Sequence, residues 1–361
     1  MQPSHDSPCP SERLLALGWD DSRAEQFAEH AAAGLVPARV VRVDRGRCDT
    51  ITDAGPVRAS SIAVASDDPE LTVCTGDWVA LRTGPEPEVV AMLPRRSAIN
   101  RASADRTSHR QVLAANVDTV VIVVSLAMPI KAGRIERLLA LAWNSGTRPV
   151  IALTKADVAD DASLARAIVE AVAAGVDVVT TSATTGEGLG PLADAITGTA
   201  VLLGPSGAGK STLANALLGR DLMGTNEVRG ADGKGRHTTV HRQLLPLPGG
   251  GALIDTPGLR SIGIQDVTDG VEQVFADIEE LAADCSFRDC AHRSEPGCAV
   301  QAAIAAGELD ARRLDRYRKL LRESEWAASR GDSRKASKRT KEHKAITKEI
   351  RALYRFRDQQ R

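Results

Sequence analysis

One octapeptide constrains the fold of this chain more than any other feature. The segment Gly204-Pro-Ser-Gly-Ala-Gly-Lys-Ser211 matches the pattern G-x-x-x-x-G-K-S/T and lies between an apolar run, AVLLG, and a helical run, STLANALLG. In this context the glycines let backbone N–H groups curl around phosphate oxygens, and the helix N-terminus adds the positive end of its dipole. The octapeptide therefore predicts a strand–loop–helix unit that binds a nucleoside triphosphate.

The residues of this phosphate loop have distinct expected roles. Lys210 neutralises charge on the β- and γ-phosphates, and Ser211 supplies a hydroxyl ligand to Mg²⁺, a hard ion that prefers oxygen. The loop does not by itself distinguish GTP from ATP. Its predicted nucleotide contacts are Gly204, Pro205, Ser206, Gly207, Ala208, Gly209, Lys210, Ser211 and Thr212.

The surrounding sequence supports an α/β domain. From Val117 onward, apolar strand-like segments such as VDTVVIVVSL and PVIALT alternate with helical segments such as GRIERLLALAWN. This alternation predicts a parallel sheet covered by helices on both faces. We expect the domain to span residues 117–268.

Two loops upstream of the phosphate loop suit the recognition of a guanine base. Asp157, in the segment TKAD, can accept hydrogen bonds from both guanine N1–H and N2–H₂, which adenine does not offer as a pair. Lys155 can lie flat against the base, and the backbone at Ser182 and Ala183 can bind the guanine carbonyl. An ATP-dependent enzyme is the alternative, and Asp157 argues against it. The predicted base contacts are Thr154, Lys155, Ala156, Asp157, Ser182 and Ala183.

Two segments downstream of the phosphate loop suit the γ-phosphate and its metal ion. Asp255 ends an apolar strand and can hold Mg²⁺ through water, and Gly258 can offer its N–H to the γ-phosphate. His237, Thr238 and Thr239 lie in a polar, Gly-rich stretch that could order around Mg²⁺ through a threonine hydroxyl. The sequence does not decide between Thr238 and Thr239 as the Mg²⁺ ligand.

The segments that precede the α/β domain have a different residue pattern. Residues 35–95 contain five short β-rich pieces, RVVRV, CDTIT, SIAVA, DWVAL and EVVAML, separated by turns with Gly, Asp or Pro. They predict a small barrel, for which an OB-fold is the natural candidate, although an SH3-like barrel fits the periodicity nearly as well. Residues 1–34 form a helical extension, and the basic, polar, aperiodic residues 96–116 predict a linker.

Four potential metal ligands lie close together in the predicted helical segment 269–309: Cys285, Cys290, His292 and Cys298. Zn²⁺ takes such Cys₃His sets in closed, structural sites. The spacing therefore predicts a structural zinc ion, and free thiols at helix ends are the alternative.

The near-neutral net charge of −1 hides a strong asymmetry. The basic segment 310–361, predicted to be helical, carries 18 Lys and Arg against 7 Asp and Glu from residue 311 onward. This excess suggests a polyanionic partner, and a plain solvated helix is the alternative. Aromatic residues make up only 3% of the chain, which favours phosphate contacts over base stacking. The linker adds candidate RNA contacts at Arg95, Arg96, Arg101, Arg106 and Arg110.

The chain lacks an apolar run close to the roughly 20 residues that a membrane helix needs, and its N-terminus lacks the features of a secretory signal. We therefore expect a cytoplasmic protein without a membrane partner.

The order of the motifs is unusual. Translation-factor-related GTPases carry the phosphate loop first and the base-reading motifs last, whereas the order here is TKAD, SA, GPSGAGKS, HTT, DTPG. This order is a circular permutation. With the barrel before it and the Cys/His cluster after it, the chain resembles the ribosome small-subunit-dependent GTPase A family (RsgA, also called YjeQ) over nearly its whole length.

The resemblance implies an N-terminal OB-fold β-barrel, a central circularly permuted P-loop GTPase domain and a C-terminal helical zinc-binding domain. It implies Mg²⁺-dependent hydrolysis of GTP to GDP and phosphate, stimulated by the small ribosomal subunit late in its maturation, with release on hydrolysis. The implied partners are the small ribosomal subunit with its rRNA and GTP or GDP, and we expect a monomer.

Two residues depart from common GTPase patterns. Thr154 replaces the usual Asn of the base motif, and Leu259 occupies the position where many GTPases have a water-orienting Gln. Leu259 favours the alternative function of a non-enzymatic, nucleotide-responsive RNA-binding assembly factor. For an enzyme, the candidate catalytic residues are His237, Lys210, Thr238 and Thr239, and His237 could instead contact RNA or backbone.

Overall fold

The computed structural model describes residues 12–66, 68, 70–102, 110–221, 242–255 and 267–331. The chain begins with two helices, α1 (Glu12–Ala16) and α2 (Asp21–Ala32). Asp20 caps α2 by accepting a hydrogen bond from the Arg23 backbone N–H. Between the helices, the Trp19 ring packs edge-on against Trp78, with the ring centroids 4.9 Å apart, and this contact fastens the helices to the next domain.

That domain is a closed five-stranded barrel. Its strands are β1 (Val36–Asp44), β2 (Arg47–Thr52), β3 (Gly55–Ser60), β4 (Trp78–Arg82) and β5 (Glu88–Met92). They close in the order β1-β2-β3-β5-β4, with β3 parallel to β5 and the other pairs antiparallel. This topology confirms the predicted OB-like barrel. The third predicted strand was misplaced, because the segment SIAVA forms a 3-10 turn at Ile62–Val64 in which Ile62 is exposed.

The predicted linker carries two strands rather than irregular chain. β6 (Ala98–Ala102) and β7 (Arg110–Ala115) pair in an antiparallel ribbon. Ile99, Val112 and Leu113 from this ribbon are buried. Their short apolar pattern is diluted by the basic and polar residues around it, so the periodicity was not visible in the sequence.

Two of the linker arginines have structural partners. Arg95 donates to both carboxylate oxygens of the buried Asp77, at 2.7 Å each, and Arg96 forms an ion pair with Asp20. Both therefore have a role within the protein, and their role as RNA contacts stays a prediction. Arg106 and the side chains of Arg101 and Arg110 lie outside the described part of the chain.

The central domain is a six-stranded sheet with the order β10-β9-β8-β11-β13-β12. Only β12 runs antiparallel to its neighbour, at the edge of the sheet. The strands are β8 (Thr119–Ser125), β9 (Arg148–Thr154), β10 (Asp177–Thr180), β11 (Thr199–Leu203), β12 (Gln243–Pro246) and β13 (Ala252–Asp255). The helices are α3 (Ala132–Asn144), α4 (Ala162–Val172), α5 (Leu189–Ala195) and α6 (Lys210–Leu218). Because the five other strands are parallel, their carboxyl ends open onto one edge.

Four helices follow the sheet: α7 (Thr268–Val274), α8 (Ala276–Ala283), α9 (Ala299–Ala306) and α10 (Ala311–Gly331). Phe275, between α7 and α8, is fully buried and packs edge-on against Tyr317 of α10 at 5.4 Å between ring centroids. Among the described residues, no helix is long and apolar enough to cross a lipid bilayer.

Asn116 is the centre of a hydrogen-bond network where the barrel meets the sheet. Asn116 has a left-handed backbone (φ 52°), and its side-chain oxygen accepts hydrogen bonds from the Arg23 side chain (2.5 Å) and the Arg96 backbone N–H (3.0 Å). Its side-chain nitrogen donates to the Gly76 carbonyl at 3.0 Å. Arg39, buried in β1, donates to the Asn116 carbonyl (3.1 Å) and to the Thr199 hydroxyl (3.0 Å) at the start of β11.

We expect Asn116→Ala to lower the free energy of unfolding by about 2–4 kcal/mol. The substitution leaves buried hydrogen-bond donors without an acceptor, and alanine at positive φ has no polar side chain to hydrogen-bond with the local backbone. Urea unfolding followed by Trp fluorescence measures this loss. Asn116→Gly restores the backbone freedom but not the hydrogen bonds, so it should recover only part of the loss. A loss below about 1 kcal/mol for Asn116→Ala would contradict the assigned role.

Candidate nucleotide and metal sites

The phosphate loop has the predicted strand–loop–helix setting. It joins the end of β11 to α6, which begins at Lys210. Gly204 passes so close to β8 that an added Cβ would lie 2.5 Å from the Val123 carbonyl oxygen, and Gly209 caps α6 at a φ of 89°. The Lys210 ammonium donates to the carbonyls of Gly204 (2.8 Å) and Pro205 (2.7 Å), so it lies across the mouth of the loop, where phosphates would bind.

Thr154 connects the TKAD segment, which is predicted to read the base, to the phosphate loop. Its hydroxyl, at the buried end of β9, donates to the Ala208 carbonyl at 2.7 Å. Lys155 follows in the left-handed region at a φ of 63°, and its side chain reaches Gly209, with its Cε 4.0 Å from where a Cβ on that glycine would lie. The hydroxyl of Thr154 thus ties the two loops together at the position where the motif usually has Asn. The TKAD motif marks this residue, but the sequence does not reveal its partner.

Asp157 is held in place by the second base-reading loop. The buried Ser182 hydroxyl donates to a carboxylate oxygen of Asp157 at 2.6 Å and accepts from the Thr185 backbone N–H at 3.2 Å. Asp157 itself is exposed, and half-buried Ala183 follows Ser182. The carboxylate therefore has a fixed orientation and further lone pairs to accept donors from a base.

Asp255 ends β13, which is hydrogen-bonded to β11. Burial raises the pKa of the Asp255 carboxyl, because its charged form loses solvation. A cation close to this carboxylate would offset the loss. The sheet therefore brings Thr154, Asp157, Ser182, the phosphate loop and Asp255 to one edge, as predicted from the strand ends.

The remaining predicted site residues lie outside the described residues. These are His237, Thr238, Thr239, Gly258 and Leu259. Their roles in catalysis, Mg²⁺ binding and γ-phosphate contact stay predictions.

The predicted metal ligands converge in the loop between α8 and α9. The ligand atoms of Cys285, Cys290, His292 and Cys298 all lie within 4.8 Å of one another. The Cys285 and Cys298 sulfurs are 3.8 Å apart, and the His292 Nδ1 lies 3.6 and 3.5 Å from them. A tetrahedral ion with Zn–S bonds of about 2.3 Å and a Zn–N bond of about 2.0 Å would set these separations at about 3.8 and 3.5 Å. Three of the four ligand atoms therefore have the spacing of a tetrahedral metal site, and the Cys290 sulfur lies within 4.8 Å of each of them.

Residues outside the ligand set hold this loop in shape. Glu295 accepts hydrogen bonds from the backbone N–H groups of Arg293 (2.7 Å) and Ser294 (2.9 Å), and the Arg318 side chain of α10 donates to the His292 carbonyl. Burial lowers the pKa of His292, which favours the neutral imidazole that binds metals. Neither support was predicted from the sequence. The position of Glu295 between two predicted ligands is a local signal for a supporting role. No local feature of the sequence indicates Arg318.

Comparison with known proteins agrees with this geometry. Residues 92–265 match the family model described as RsgA GTPase. A relative from Streptomyces coelicolor, named small ribosomal subunit biogenesis GTPase RsgA, is 56% identical over 336 residues, which are 92% of this chain and 92% of the relative. A relative of the same name from Opitutus terrae is 42% identical and covers 88% of this chain and 92% of its own length.

Two solved structures have a similar fold. YjeQ from Thermotoga maritima aligns with a TM-score of 0.60 at 26% identity, covering 80% of this chain and 98% of that chain. YloQ, described as a circularly permuted GTPase, has a TM-score of 0.59 at 22% identity, covering 81% of this chain and 95% of that chain. These structures confirm the multidomain fold class.

We expect Thr154→Val to weaken the binding of both GDP and GTP about tenfold, because it keeps the side-chain shape but leaves the buried Ala208 carbonyl without its donor. Thr154→Ser retains the hydroxyl and should bind nearly as well as the native protein. Fluorescent nucleotide titrations measure the affinities. Equal affinity for the Val and Ser variants would show that the contact does not contribute to nucleotide binding.

We expect the purified protein to carry one tetrahedral metal ion per chain and Cys298→Ser to lose most of it. Loss of the ion should also lower the melting temperature of the helical segment, because the loop has few apolar residues of its own. Mass spectrometry and elemental analysis measure the content. The control is Cys74→Ala, which changes a buried cysteine in another domain and should keep the ion. Full metal content in Cys298→Ser would refute the ligand assignment.

Proposed function

This chain belongs to the RsgA GTPase family, and on that premise we propose that it hydrolyses GTP in the biogenesis of the small ribosomal subunit. The observation that carries the proposal is the convergence of the phosphate loop with both base-reading loops at one edge of the permuted sheet. Family membership in a class of GTP hydrolases also argues against the non-enzymatic alternative.

The proposed site selects GTP and activates it through a small set of residues. Asp157, oriented by Ser182, would accept the two donors of guanine, and Lys210 would bind the phosphates. Ser211 and Asp255 would hold Mg²⁺, which neutralises charge developing on the phosphates. Thr238 or Thr239 would complete its ligands, and His237 remains our candidate for positioning the attacking water.

We further propose that the metal ion of the Cys₃His cluster is zinc with a structural role. Three sulfurs and one imidazole nitrogen are the donor set that zinc favours. With four protein ligands the ion has no open position for a substrate. Its contribution would be to hold the loop between α8 and α9 against α10.

The outward face of α10 is our proposed contact for rRNA. Arg312, Lys319 and Arg322 are exposed and form no ion pair with any described residue, while Arg313 and Arg316 of the same helix are paired with carboxylates inside the protein. Three cations at helical spacing suit a phosphate backbone, and the basic residues that follow α10 would extend the contact. The proposal places the protein in the cytoplasm, with the maturing subunit, and as a monomer.

We expect purified small ribosomal subunits to stimulate GTP hydrolysis about tenfold or more, because a partner that completes the site supplies missing transition-state stabilisation. Phosphate release is measured with GTP and with ATP, with and without subunits, at low and moderate salt. Large ribosomal subunits are the control for RNA in general. ATP hydrolysis equal to GTP hydrolysis, or no response to the small subunit, would contradict the proposal.

We expect Asp157→Asn to weaken GTP binding about 100-fold and to improve binding of xanthosine triphosphate, because the amide donates where the carboxylate accepted. Competition between the two nucleotides measures the change in preference. Asp160→Asn alters an exposed carboxylate three residues further along and should leave the preference for GTP intact. An unchanged preference in Asp157→Asn would overturn the assignment of this residue to the base.

A further inference from the structure

A buried carboxylate links the nucleotide-binding domain to α10. Glu136 belongs to α3 and is only 1% exposed. Its two oxygens accept from Arg316 Nε at 3.0 and 2.8 Å, and one of them also accepts from Arg313 at 3.3 Å. Burial raises the pKa of Glu136, because desolvation outweighs the attraction of the two arginines. A carboxylate in such a place stays charged only while its cations are near.

Arg313 is fixed from several sides. It makes two hydrogen bonds to the Asp277 carboxylate of α8, at 2.6 and 2.7 Å, and one to the Val274 carbonyl of α7 at 3.0 Å. Its guanidinium lies 4.8 Å from the ring centre of Phe275. The cation that meets Glu136 is therefore held rigidly by the helical segment, unlike the long, loosely held pairs found on protein surfaces.

Each of the two helices has a further contact within the protein. On α3, Arg134, Ile135 and Leu138 line a cavity of about 220 Å³ that Pro205 of the phosphate loop also lines. On α10, the buried Ser324 hydroxyl accepts from the Val267 backbone N–H at 2.9 Å. Val267 directly precedes α7, so α10 also contacts the start of the helical segment.

Stability alone does not account for a charged cluster at this interface. Replacing a buried ion pair by apolar residues of similar size is often neutral or stabilising. What the cluster supplies is one permitted register between α3 and α10, since both arginines must meet the same carboxylate. A shift of α10 along α3 would separate Glu136 from both arginines and leave its buried carboxyl group without these hydrogen-bond donors.

We propose that Glu136 is a positioning residue that locks α10 to α3, so that a partner bound to the outward face of α10 acts on the nucleotide site. The inference rests on the proposed function, because it takes the small subunit as that partner. Glu136 touches neither nucleotide nor partner, and its effect passes through the register of the two helices.

The test compares Glu136→Gln with a matched control, Glu323→Gln. Glu323 pairs with Arg137 across the same α3–α10 interface but is partly exposed. We expect Glu136→Gln to keep basal GTP hydrolysis within about twofold and to need the same subunit concentration for half-maximal stimulation. Its maximal stimulation should fall about fivefold or more, which is the lower end of typical coupling between sites. Glu323→Gln should be stimulated like the native protein.

A second variant covers the case in which Glu136→Gln fails to fold. Glu136→Met combined with Arg316→Met removes both charges, so that neither is left unpaired, and should melt close to the native protein. It should show the same loss of maximal stimulation. Loss of basal activity in proportion to loss of stability, or full stimulation in both variants, would overturn the proposal.

A readout without ribosomes separates this proposal from the proposed function. Amide hydrogen exchange in α10 is measured with GDP and with a non-hydrolysable GTP analogue. The native protein and Glu323→Gln should show different exchange in the two states, and the Glu136 variants should lose that difference. If the native protein shows different amide exchange with the two nucleotides but subunits do not stimulate its hydrolysis, only the proposed partner is overturned. If the native protein shows equal exchange with the two nucleotides, the coupling itself is overturned.

Discussion

The rest of the molecule depends on the parallel hydrogen bonding among five neighbouring strands of the sheet, which lie in the order β10-β9-β8-β11-β13. This pairing forces every strand-end loop onto one edge, whatever the order in which the chain supplies the strands. The phosphate loop after β11 can therefore meet base-reading loops that precede it in sequence. The same pairing gives the sheet an opposite edge, and Arg39 and Asn116 fasten the barrel there, at the start of β11.

Features that depend on neighbouring residues were predictable from the sequence. The phosphate loop, the two base-reading loops and the metal ligands each lie within a few positions, and their chemistry needs those residue types at those spacings. The barrel was predictable because short strands and turns recur over residues 35–95, although one of the five strands was misplaced. The ribbon of β6 and β7 was not predicted, because a few buried residues such as Ile99 and Val112 decide it and charged neighbours obscure them.

Contacts between distant residues were beyond local patterns. Glu136 and Arg316 are 180 positions apart, and Arg39 and Thr199 are 160 positions apart. No sequence periodicity relates residues that are so far apart. The number of basic residues in a segment therefore does not show which of them are exposed and able to contact a partner. Arg95 and Arg313 look like surface cations in the sequence, yet Arg95 pairs with the buried Asp77 and Arg313 with the buried Glu136, and the exposed cations of α10 remain for outside contacts.

The two edges of the sheet also determine how the protein bears a mechanical load. The barrel joins the sheet at the amino end of β8, and the chain leaves for the helical segment from the carboxyl end of β13, with β11 between them. A pull between these attachment points runs along the strands and loads the inter-strand hydrogen bonds in shear, all together, instead of peeling them apart one at a time. Separating the barrel from the chain beyond β13 along this direction would therefore require the hydrogen bonds among β8, β11 and β13 to break together.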